Sequence, residues 1–269
     1  MELNFSKISA AGNDFIMVDN RKETVLAKNY SSITKKLCDR RYAVGADGMI
    51  FIEESKPCDF AMRYFNSDGS HASMCGNGGR AAAKFAFDIG AAKEKMFFQT
   101  DAGIVHANIL GKDRVKLKLF NPKDLKRNIK LTIDGKKLNI DFINTGVPHA
   151  VILVDELEKV DVFSLGRAVR EDKYFAPDGA NVDFVQKKKD AILVRTYERG
   201  VENETLACGT GIIASAIIAV LKDIAVSPVK AIARGGDELF VSFKQEGGNI
   251  VNVTLEGPAV TAFTGIAEI

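Results

Sequence analysis

Two cysteines in nearly identical glycine-rich surroundings are the residues of this chain best suited to chemistry. Cys75 opens the motif Cys-Gly-Asn-Gly at 75–78, and Cys208 opens Cys-Gly-Thr-Gly at 208–211. A thiolate can remove a proton, and the thiol formed in this way can return one. Two such groups on opposite faces of a carbon could take a proton from one side and supply one from the other. The pair therefore predicts an enzyme that inverts a carbon centre.

The position of each cysteine before an apolar run explains how a thiol could become a base. Residues 79–88 and 211–222 are rich in Ala, Ile and Phe, which predicts two helices buried on most sides. The N–H groups at a helix N-terminus favour a thiolate, and they could also hold a substrate carboxylate. The same donors would stabilise the negative charge that develops on that carboxylate when the α-proton leaves.

Strand patterns dominate the rest of the chain and give both halves the same order. Further helices are predicted at 31–40, with Ser31 or Ser32 as N-cap, and at 163–171, and a hairpin turn is predicted at Asp134-Gly135. In each half, strands precede the cysteine motif and its helix, and more strands follow. The motifs are 208 − 75 = 133 residues apart in a chain of 269, which indicates an internal duplication.

This repeated order predicts an α+β fold of two pseudo-symmetric domains. Each domain is expected to be a curved mixed β-sheet wrapped around a central helix. The N-terminal domain would comprise 1–119, joined by the last strand at 260–269, and the C-terminal domain would comprise 120–259. The active site is expected in the cleft between them.

Composition limits the kinds of partner. With 37 basic and 35 acidic residues the net charge is +2, which favours neither nucleic acid nor a membrane surface. No apolar run reaches the ~20 residues that span a bilayer, and the N-terminus has no signal-peptide pattern, so a cytoplasmic protein is predicted by default. Cys38 and Cys58 are expected to be buried core residues, and without Cys-X-X-Cys spacing no metal site is expected.

The chain resembles the diaminopimelate epimerase family over nearly its whole length. The resemblance rests on eight motifs in the order of the family: Gly-Asn-Asp-Phe at 12–15, Gly-Ala-Asp-Gly at 45–48, Phe-Asn-Ser-Asp-Gly-Ser at 65–70, the block at 74–80, Gly-Val-Pro-His at 146–149, Gly-Ala-Asn-Val-Asp-Phe-Val at 179–185, Tyr-Glu-Arg-Gly at 197–200 and the block at 204–211. It implies a homodimeric enzyme without cofactor or metal that interconverts LL- and meso-diaminopimelate in lysine and peptidoglycan-precursor synthesis.

The resemblance also implies a role for each residue that matches a family position. In the LL-to-meso direction, Cys208 would remove the proton and Cys75 would donate one. The α-carboxylate would lie on backbone N–H groups of four residues: Gly76, Asn77, Gly209 and Thr210. Asn13 would be a further substrate contact, and the distal end of the substrate would be bound by Asn66, Asn181, Glu198 and Arg199. His149 and Glu198 would tune the two thiols.

The chain departs from the family pattern at two single positions, and Glu202-Asn203 also makes the stretch between Arg199 and Cys208 slightly longer than in many members. Val147 stands where many members have an Asn that contacts substrate, and Gly48 stands where many have Gln. Neither position belongs to a cysteine motif, so both departures concern substrate preference rather than the thiols.

Three alternatives remain open at this point. The first is a racemase of another amino acid on the same fold. The second is a non-catalytic module that binds anions at the same helix ends. The third is a redox switch in which Cys75 and Cys208 form a disulfide, and this could coexist with catalysis.

Overall fold

A computed structural model describes residues 2–133 and 135–269 of the chain. The chain forms two compact units, one of Met1–Lys118 with Glu256–Ile269 and one of Leu119–Leu255. The predicted turn at Asp134-Gly135 involves Asp134, which lies outside the described residues, whereas Gly135 has the positive φ of +76° that suits glycine in a turn. No helix among the described residues is long and apolar enough to cross a membrane.

The first unit contains nine strands and two helices among its described residues. The strands are β1 (Glu2–Ala10), β2 (Asn13–Asp19), β3 (Gly48–Glu53), β4 (Phe60–Asn66), β5 (His71–Ala72), β6 (Lys95–Thr100), β7 (Gly103–Ile109), β8 (Arg114–Lys118) and, near the C-terminus, β18 (Val260–Glu268). The helices are α1 (Tyr30–Leu37) and α2 (Gly76–Asp88), and a 3-10 turn at Ala27–Asn29 leads into α1.

The second unit is built from the remaining elements. Its strands are β9 (Lys123–Ile133), β10 (Lys136–Asn144), β11 (Pro148–Leu153), β12 (Asn181–Lys187), β13 (Ile192–Glu198), β14 (Asn203–Thr205), β15 (Val229–Ala233), β16 (Glu238–Glu246) and β17 (Asn249–Pro258), whose last residues belong to the first unit. Its helices are α3 (Val162–Arg170) and α4 (Gly209–Leu221), with 3-10 turns at Leu157–Lys159 and Lys173–Phe175.

The strands of the two units pair in the same order. In the first unit β18, β1 and β2 are antiparallel neighbours, β2 is parallel to β3, β3 antiparallel to β4, and β4 parallel to β6. In the second unit β9, β10 and β11 are antiparallel neighbours, β11 is parallel to β12, β12 antiparallel to β13, and β13 parallel to β15. Both sheets are therefore mixed, and both have the same alternation of directions.

A buried helix lies inside each sheet. Helix α2 packs against β1, β2, β3, β4, β7 and β8, and α4 packs against β10, β11, β12, β13, β15 and β16. Every residue from Asn77 to Ala86 of α2 is buried, as are Gly209 and the run from Gly211 to Ala219 in α4. Such helices carry apolar side chains on all sides because strands surround them. Both helices begin earlier than the sequence predicts, directly after their cysteines.

The two peripheral helices occupy their predicted places, but the cap predicted for the first is wrong. Helix α1 continues from the preceding 3-10 turn, so neither Ser31 nor Ser32 lies at its start. The hydroxyl of Ser31 donates to the carbonyl of Gly69 at 2.8 Å, and that of Ser32 donates to the carbonyl of Asn29 at 3.0 Å. Helix α3 has the cap that α1 lacks, because the Asp161 carboxylate accepts the backbone N–H of Ser164 at 3.0 Å.

Candidate active site

Cys75 is the N-cap residue of α2. Its backbone is extended, and its half-buried sulfur accepts the backbone N–H of Gly78 at 3.4 Å. A Cβ on Gly78 would lie 3.1 Å from the Ile50 side chain, and one on Gly79 would lie 3.0 Å from Leu117. The glycines after Cys75 therefore let the first turn of α2 pack tightly against the sheet while its N–H groups stay directed towards the sulfur.

Cys208 is the N-cap residue of α4, but its surroundings differ from those of Cys75. The side chain is buried, and its sulfur lies 3.4 Å from the hydroxyl of Thr210. Burial raises the pKa of the Cys208 thiol well above its ordinary value, and the negative charges of Glu198 and Asp183 raise it further. Burial therefore opposes the effect of the helix N-terminus, which favours a thiolate.

A chain of oriented amides holds two predicted substrate contacts in the first unit. The buried Arg80 guanidinium donates to Asn77 Oδ1 at 2.7 Å, and Asn77 Nδ2 donates to Asn13 Oδ1 at 2.5 Å. Asn13 Nδ2 donates to Asp47 Oδ2 at 3.0 Å, and Arg40 holds the other oxygen of Asp47 at 2.7 Å. Because a cation begins this chain and a carboxylate ends it, each amide can point in one direction only.

The ring of Tyr64 occupies the space that a side chain at position 48 would need. A Cβ on Gly48 would lie 2.6 Å from that ring and 2.5 Å from the carbonyl oxygen of Phe65. The Tyr64 hydroxyl donates to Asn66 Oδ1 at 2.8 Å, and Asn66 Nδ2 donates to Ser70 Oγ at 3.0 Å. The space opened by Gly48 thus holds a hydroxyl that orients a predicted substrate contact.

Strand register brings the first unit's predicted residues to one edge of its sheet. Strand β2 begins at Asn13 and runs parallel to β3, with Phe15 opposite Gly48, and Gly48 is opposite Asn66 at the end of β4. Helix α2 begins at the same edge, since Asn77 in its first turn bonds Asn13. Asn13, Asn66, Cys75 and its two following residues therefore share one end of the unit.

Strand register also brings the predicted residues of the second unit to one edge of its sheet. His149 is opposite Asn181 in the parallel pair β11 and β12, and β13 ends at Glu198 beside them. The N-terminus of α4 lies at this edge, because Thr145 donates to the carbonyl of Thr210 at 3.0 Å. Val147 is half-buried, and its backbone carbonyl accepts the backbone N–H of Thr145.

A buried hydrogen-bonded chain runs from Cys208 into the second unit. The Thr210 hydroxyl lies 2.9 Å from His149 Nε2, and His149 Nδ1 lies 2.7 Å from Asp183 Oδ2. The Thr196 hydroxyl donates to Asp183 Oδ1 at 2.7 Å. His149 and Asp183 are fully buried. His149 therefore reaches Cys208 through Thr210.

Glu198 and Arg199, which are predicted to bind the distal end of the substrate, have different surroundings. Burial raises the pKa of the Glu198 carboxyl. The backbone N–H of Arg199 donates to Asn181 Oδ1 at 2.8 Å, and its guanidinium donates to the carbonyl of Asp178 at 3.1 Å. The guanidinium of Arg199 is a planar fork of donors, a geometry that can bind a carboxylate.

Sequence reasoning missed the partners that orient these residues. Asp183 was a detectable case, because a charged residue inside the apolar run Val-Asp-Phe-Val of a predicted strand must find a buried partner. Arg80 carries the same signal, since it lies in the helix predicted to be buried at 79–88, whereas Asp47 and Tyr64 carry none, because their roles depend on contacts made only in the folded chain. Among residues 2–133 and 135–269, no three His, Cys, Asp or Glu side chains are grouped so as to hold a metal ion.

Comparison with known proteins gives the arrangement its context. The diaminopimelate epimerase family profile matches residues 5–121 and 142–261. The diaminopimelate epimerase of Aquifex aeolicus strain VF5 is 42% identical over 274 residues, which cover 98% of this chain and 97% of that protein.

Solved structures share the fold at low identity. A PhzF-family phenazine biosynthesis protein of Bacillus anthracis superposes with a TM-score of 0.75 at 18% identity, over 100% of both chains. A probable proline racemase of Agrobacterium radiobacter K84 gives a TM-score of 0.72 at 14% identity, over 99% of this chain and 92% of that one. The predicted α+β fold is confirmed. Since the profile matches both halves and the identity extends over nearly the full length, the chain belongs to the diaminopimelate epimerase family of isomerases.

Proposed function

We propose that this isomerase interconverts LL- and meso-diaminopimelate by a two-base mechanism without a cofactor. Cys208 removes the α-proton in the LL-to-meso direction, and Cys75 donates a proton to the other face. The N–H groups of Gly76, Asn77, Gly209 and Thr210 hold the α-carboxylate. The two thiols act in turn as base and acid, and each returns to its starting form in the reverse reaction.

One observation carries this proposal: in a member of this family, both cysteines are N-caps of buried helices. Deprotonation of the α-carbon pushes negative charge into the carboxylate, and N–H groups of a helix first turn are fixed donors for such charge. A structural cysteine would not need this position twice. Asn66, Asn181 and Glu198 would bind the distal end of the substrate, and Arg199 would bind its carboxylate.

Solvent isotope incorporation tests the two-base mechanism directly. LL-diaminopimelate is incubated with the enzyme in D₂O, and both isomers are isolated at low conversion. Two monoprotic bases on opposite faces place deuterium in the meso product before any enters the remaining LL substrate. A single base that serves both faces would label both isomers from the start, and that result would exclude the mechanism.

Cysteine substitution tests the assignment of the bases. Cys75→Ala and Cys208→Ala should each lower kcat by about a thousandfold or more, because each removes one proton-transfer group. Cys58→Ala is the matched control, since Cys58 is a buried cysteine away from both motifs. Retention of full activity by either test variant would contradict the two-cysteine assignment.

Substrate discrimination tests the distal site. Turnover of diaminopimelate is compared with that of glutamate, histidine and proline in the wild type and in Arg199→Ala. The variant should lose diaminopimelate turnover most, because the distal carboxylate loses a bidentate partner. Faster turnover of one of the other amino acids by the wild type would identify a racemase of that amino acid instead.

The remaining expectations concern assembly and surroundings. We propose a homodimer in the cytoplasm and activity that needs neither metal nor pyridoxal phosphate, as the family resemblance implies. Sedimentation velocity measures the assembly state. Activity that survives dialysis against a chelator, in protein without the absorbance of a bound pyridoxal cofactor, measures cofactor independence, and loss of activity on dialysis would contradict it.

A further inference from the structure

The direction of each hydrogen bond behind Cys208 can be deduced from one amide. The backbone N–H of Arg199 donates to Asn181 Oδ1, so Asn181 presents its NH₂ group to His149 Nε2 at 3.3 Å. A ring nitrogen that faces an NH₂ group must be an acceptor, and neutral His149 then carries its proton on Nδ1. That proton points at Asp183 Oδ2, 2.7 Å away.

The same assignment fixes the hydroxyl of Thr210. Because His149 Nε2 is an acceptor, the Thr210 hydroxyl at 2.9 Å donates to it. The oxygen of Thr210 then turns its lone pairs towards the Cys208 sulfur at 3.4 Å. The Cys208 thiol is therefore the donor of the last bond, and every bond in the chain points from the sulfur towards Asp183.

The carboxylate at the end of the chain occupies a space shaped for it. Asp183 is fully buried, and its second oxygen accepts the Thr196 hydroxyl. A Cβ on Gly211 would overlap Asp183 Oδ1, so the second glycine of the Cys208 motif is the residue that admits this carboxylate to the first turn of α4. A buried carboxylate is retained only where partners compensate its desolvation, and here they are His149, Thr196 and a helix N-terminus.

We propose that Asp183 is a positioning residue and Thr210 a proton bridge for Cys208, an inference that rests on the proposed function for its catalytic meaning. The S–H bond of Cys208 breaks as an O–H bond forms on Thr210. The original O–H bond of Thr210 breaks as an N–H bond forms on His149 Nε2. The products are a thiolate, an unchanged hydroxyl and an imidazolium paired with Asp183, so atoms and charge balance without any further reactant.

The surroundings of Cys208 explain why such an acceptor is needed. Burial and the charges of Glu198 and Asp183 raise the pKa of its thiol, and this disfavours the thiolate that the helix N-terminus favours. Transfer to His149 keeps the proton within the buried chain and places positive charge between the thiolate and Asp183. Asp183, which disfavours a thiolate on its own, then stabilises the proton acceptor.

Imidazole NMR tests the deduced tautomer without any turnover. The chain has three histidines, and His71→Gln and His106→Gln assign the ¹⁵N-histidine spectrum of the full-length substrate-free protein. The expected result is a His149 with an unprotonated Nε2 and a proton on Nδ1. A proton on Nε2 of neutral His149 would overturn the inference, whether or not diaminopimelate proves to be the substrate.

Kinetics of paired variants test the bridge. Thr210→Val removes the hydroxyl and keeps the backbone N–H, so kcat should fall by about a hundredfold with KM little changed. Thr210→Ser keeps the hydroxyl and should retain most of kcat. Thr100→Val, which removes a buried hydroxyl in the other unit, is the control. Equal kcat values for the Val and Ser variants would overturn the bridge.

Asp183→Asn tests the positioning role. The amide should shift the His149 proton from Nδ1 in the NMR spectrum and lower kcat more than it changes KM. An unchanged tautomer with unchanged kcat would overturn the role of Asp183. If this variant fails to fold, the wild-type tautomer and the Thr210 pair decide the inference. Inactivity of the wild type towards diaminopimelate would contradict the proposed function, and the NMR result would still judge the tautomer.

Discussion

At the scale of single residues, Gly211 shows that a glycine in a motif can be required by a distant side chain. Its missing Cβ leaves room for Asp183 Oδ1, and Thr196 Oγ1 would lie 3.1 Å from an added Cβ. The structure gives the reason for this glycine, because the nearest obstacle to a side chain at position 211 is a buried carboxylate of the protein itself.

Gly211→Ala should therefore destabilise the protein even though it lies in a helix. In an open helix position Ala gains about 1 kcal/mol over Gly, so a loss isolates the overlap with Asp183. The free energy of unfolding, measured with denaturant, should fall by about 1–3 kcal/mol. Gly235→Ala is the control, because its new Cβ would meet Leu206 at an ordinary 3.5 Å. The cost of Gly211→Ala should shrink in an Asp183→Ala background, and strict additivity would contradict the overlap.

Asp14 provides a pH-dependent contribution to stability. Burial alone would raise the pKa of its carboxyl, but hydrogen bonds from Arg40 and Lys7 outweigh burial and lower the pKa from 3.8 to about 2. A depressed pKa gives stability that is present above the ordinary pKa and is lost as pH falls through the folded value. The loss should therefore occur between pH 3.8 and about 2.

Asp14→Asn measures this contribution. At pH 7 the variant should lose about 1–2 kcal/mol of unfolding free energy, a value reduced for the partial exposure of the carboxyl. The difference from the wild type should shrink as pH falls from 3.8 towards about 2, and it should vanish only well below that, where Asp14 is protonated in both the folded and the unfolded state. Asp190→Asn, at an exposed position, should leave the unfolding free energy unchanged. A difference that is constant from pH 7 to pH 2 would show that lost packing, not charge, is responsible.

At the scale of elements, the pattern of apolar residues was sufficient to predict the buried helices. It was not sufficient to predict the hydrogen bonds that join residues of α4 to the surrounding strands. An all-round apolar run after a Cys-Gly-X-Gly motif predicts a helix enclosed by strands, and α2 and α4 are such helices. The bond between His149 and Asp183 joins residues 34 positions apart, and that between His149 and Thr210 joins residues 61 apart. No periodicity encodes such pairs, because they arise only when strand register and helix position are both set.

The burial of α4 predicts a high cost for shortening its side chains. Ile217 is fully buried, so Ile217→Ala should lower the free energy of unfolding by about 2–5 kcal/mol through lost burial and a cavity. Val226→Ala is the matched aliphatic control, since Val226 is 83% exposed and should cost less than about 0.5 kcal/mol. Denaturant titrations of both variants measure the contrast, and equal costs would show that α4 does not anchor its unit.

At the scale of the whole molecule, the two units share one strand order, but one unit is a continuous segment of the chain and the other is not. The second unit is one uninterrupted segment, Leu119–Leu255, with a core of its own that includes Ile140, Phe184 and Tyr197. The first unit needs two segments, because β1 pairs with β18 from Glu2 opposite Glu268 to Ser9 opposite Val260. The duplicated pattern could be seen in the sequence, whereas the strand register that makes the last segment essential could not.

This difference predicts how fragments of the chain behave. A fragment of residues 119–255 should unfold cooperatively in denaturant and give a dispersed amide NMR spectrum, since its core and the strand pairs from β9 to β16 lie within it. A fragment of residues 1–118 should not, because it lacks β18 and leaves β1 an open edge. Joining 1–118 to 256–269 should restore cooperative unfolding. A short Gly/Ser linker suffices, since Glu256 already lies 3.1 Å from Lys116 and the Ala259 N–H bonds the Asp113 carbonyl.

Cooperative unfolding of 1–118 alone would show that β18 is dispensable, and a disordered 119–255 would show that the second unit depends on the rest of the chain.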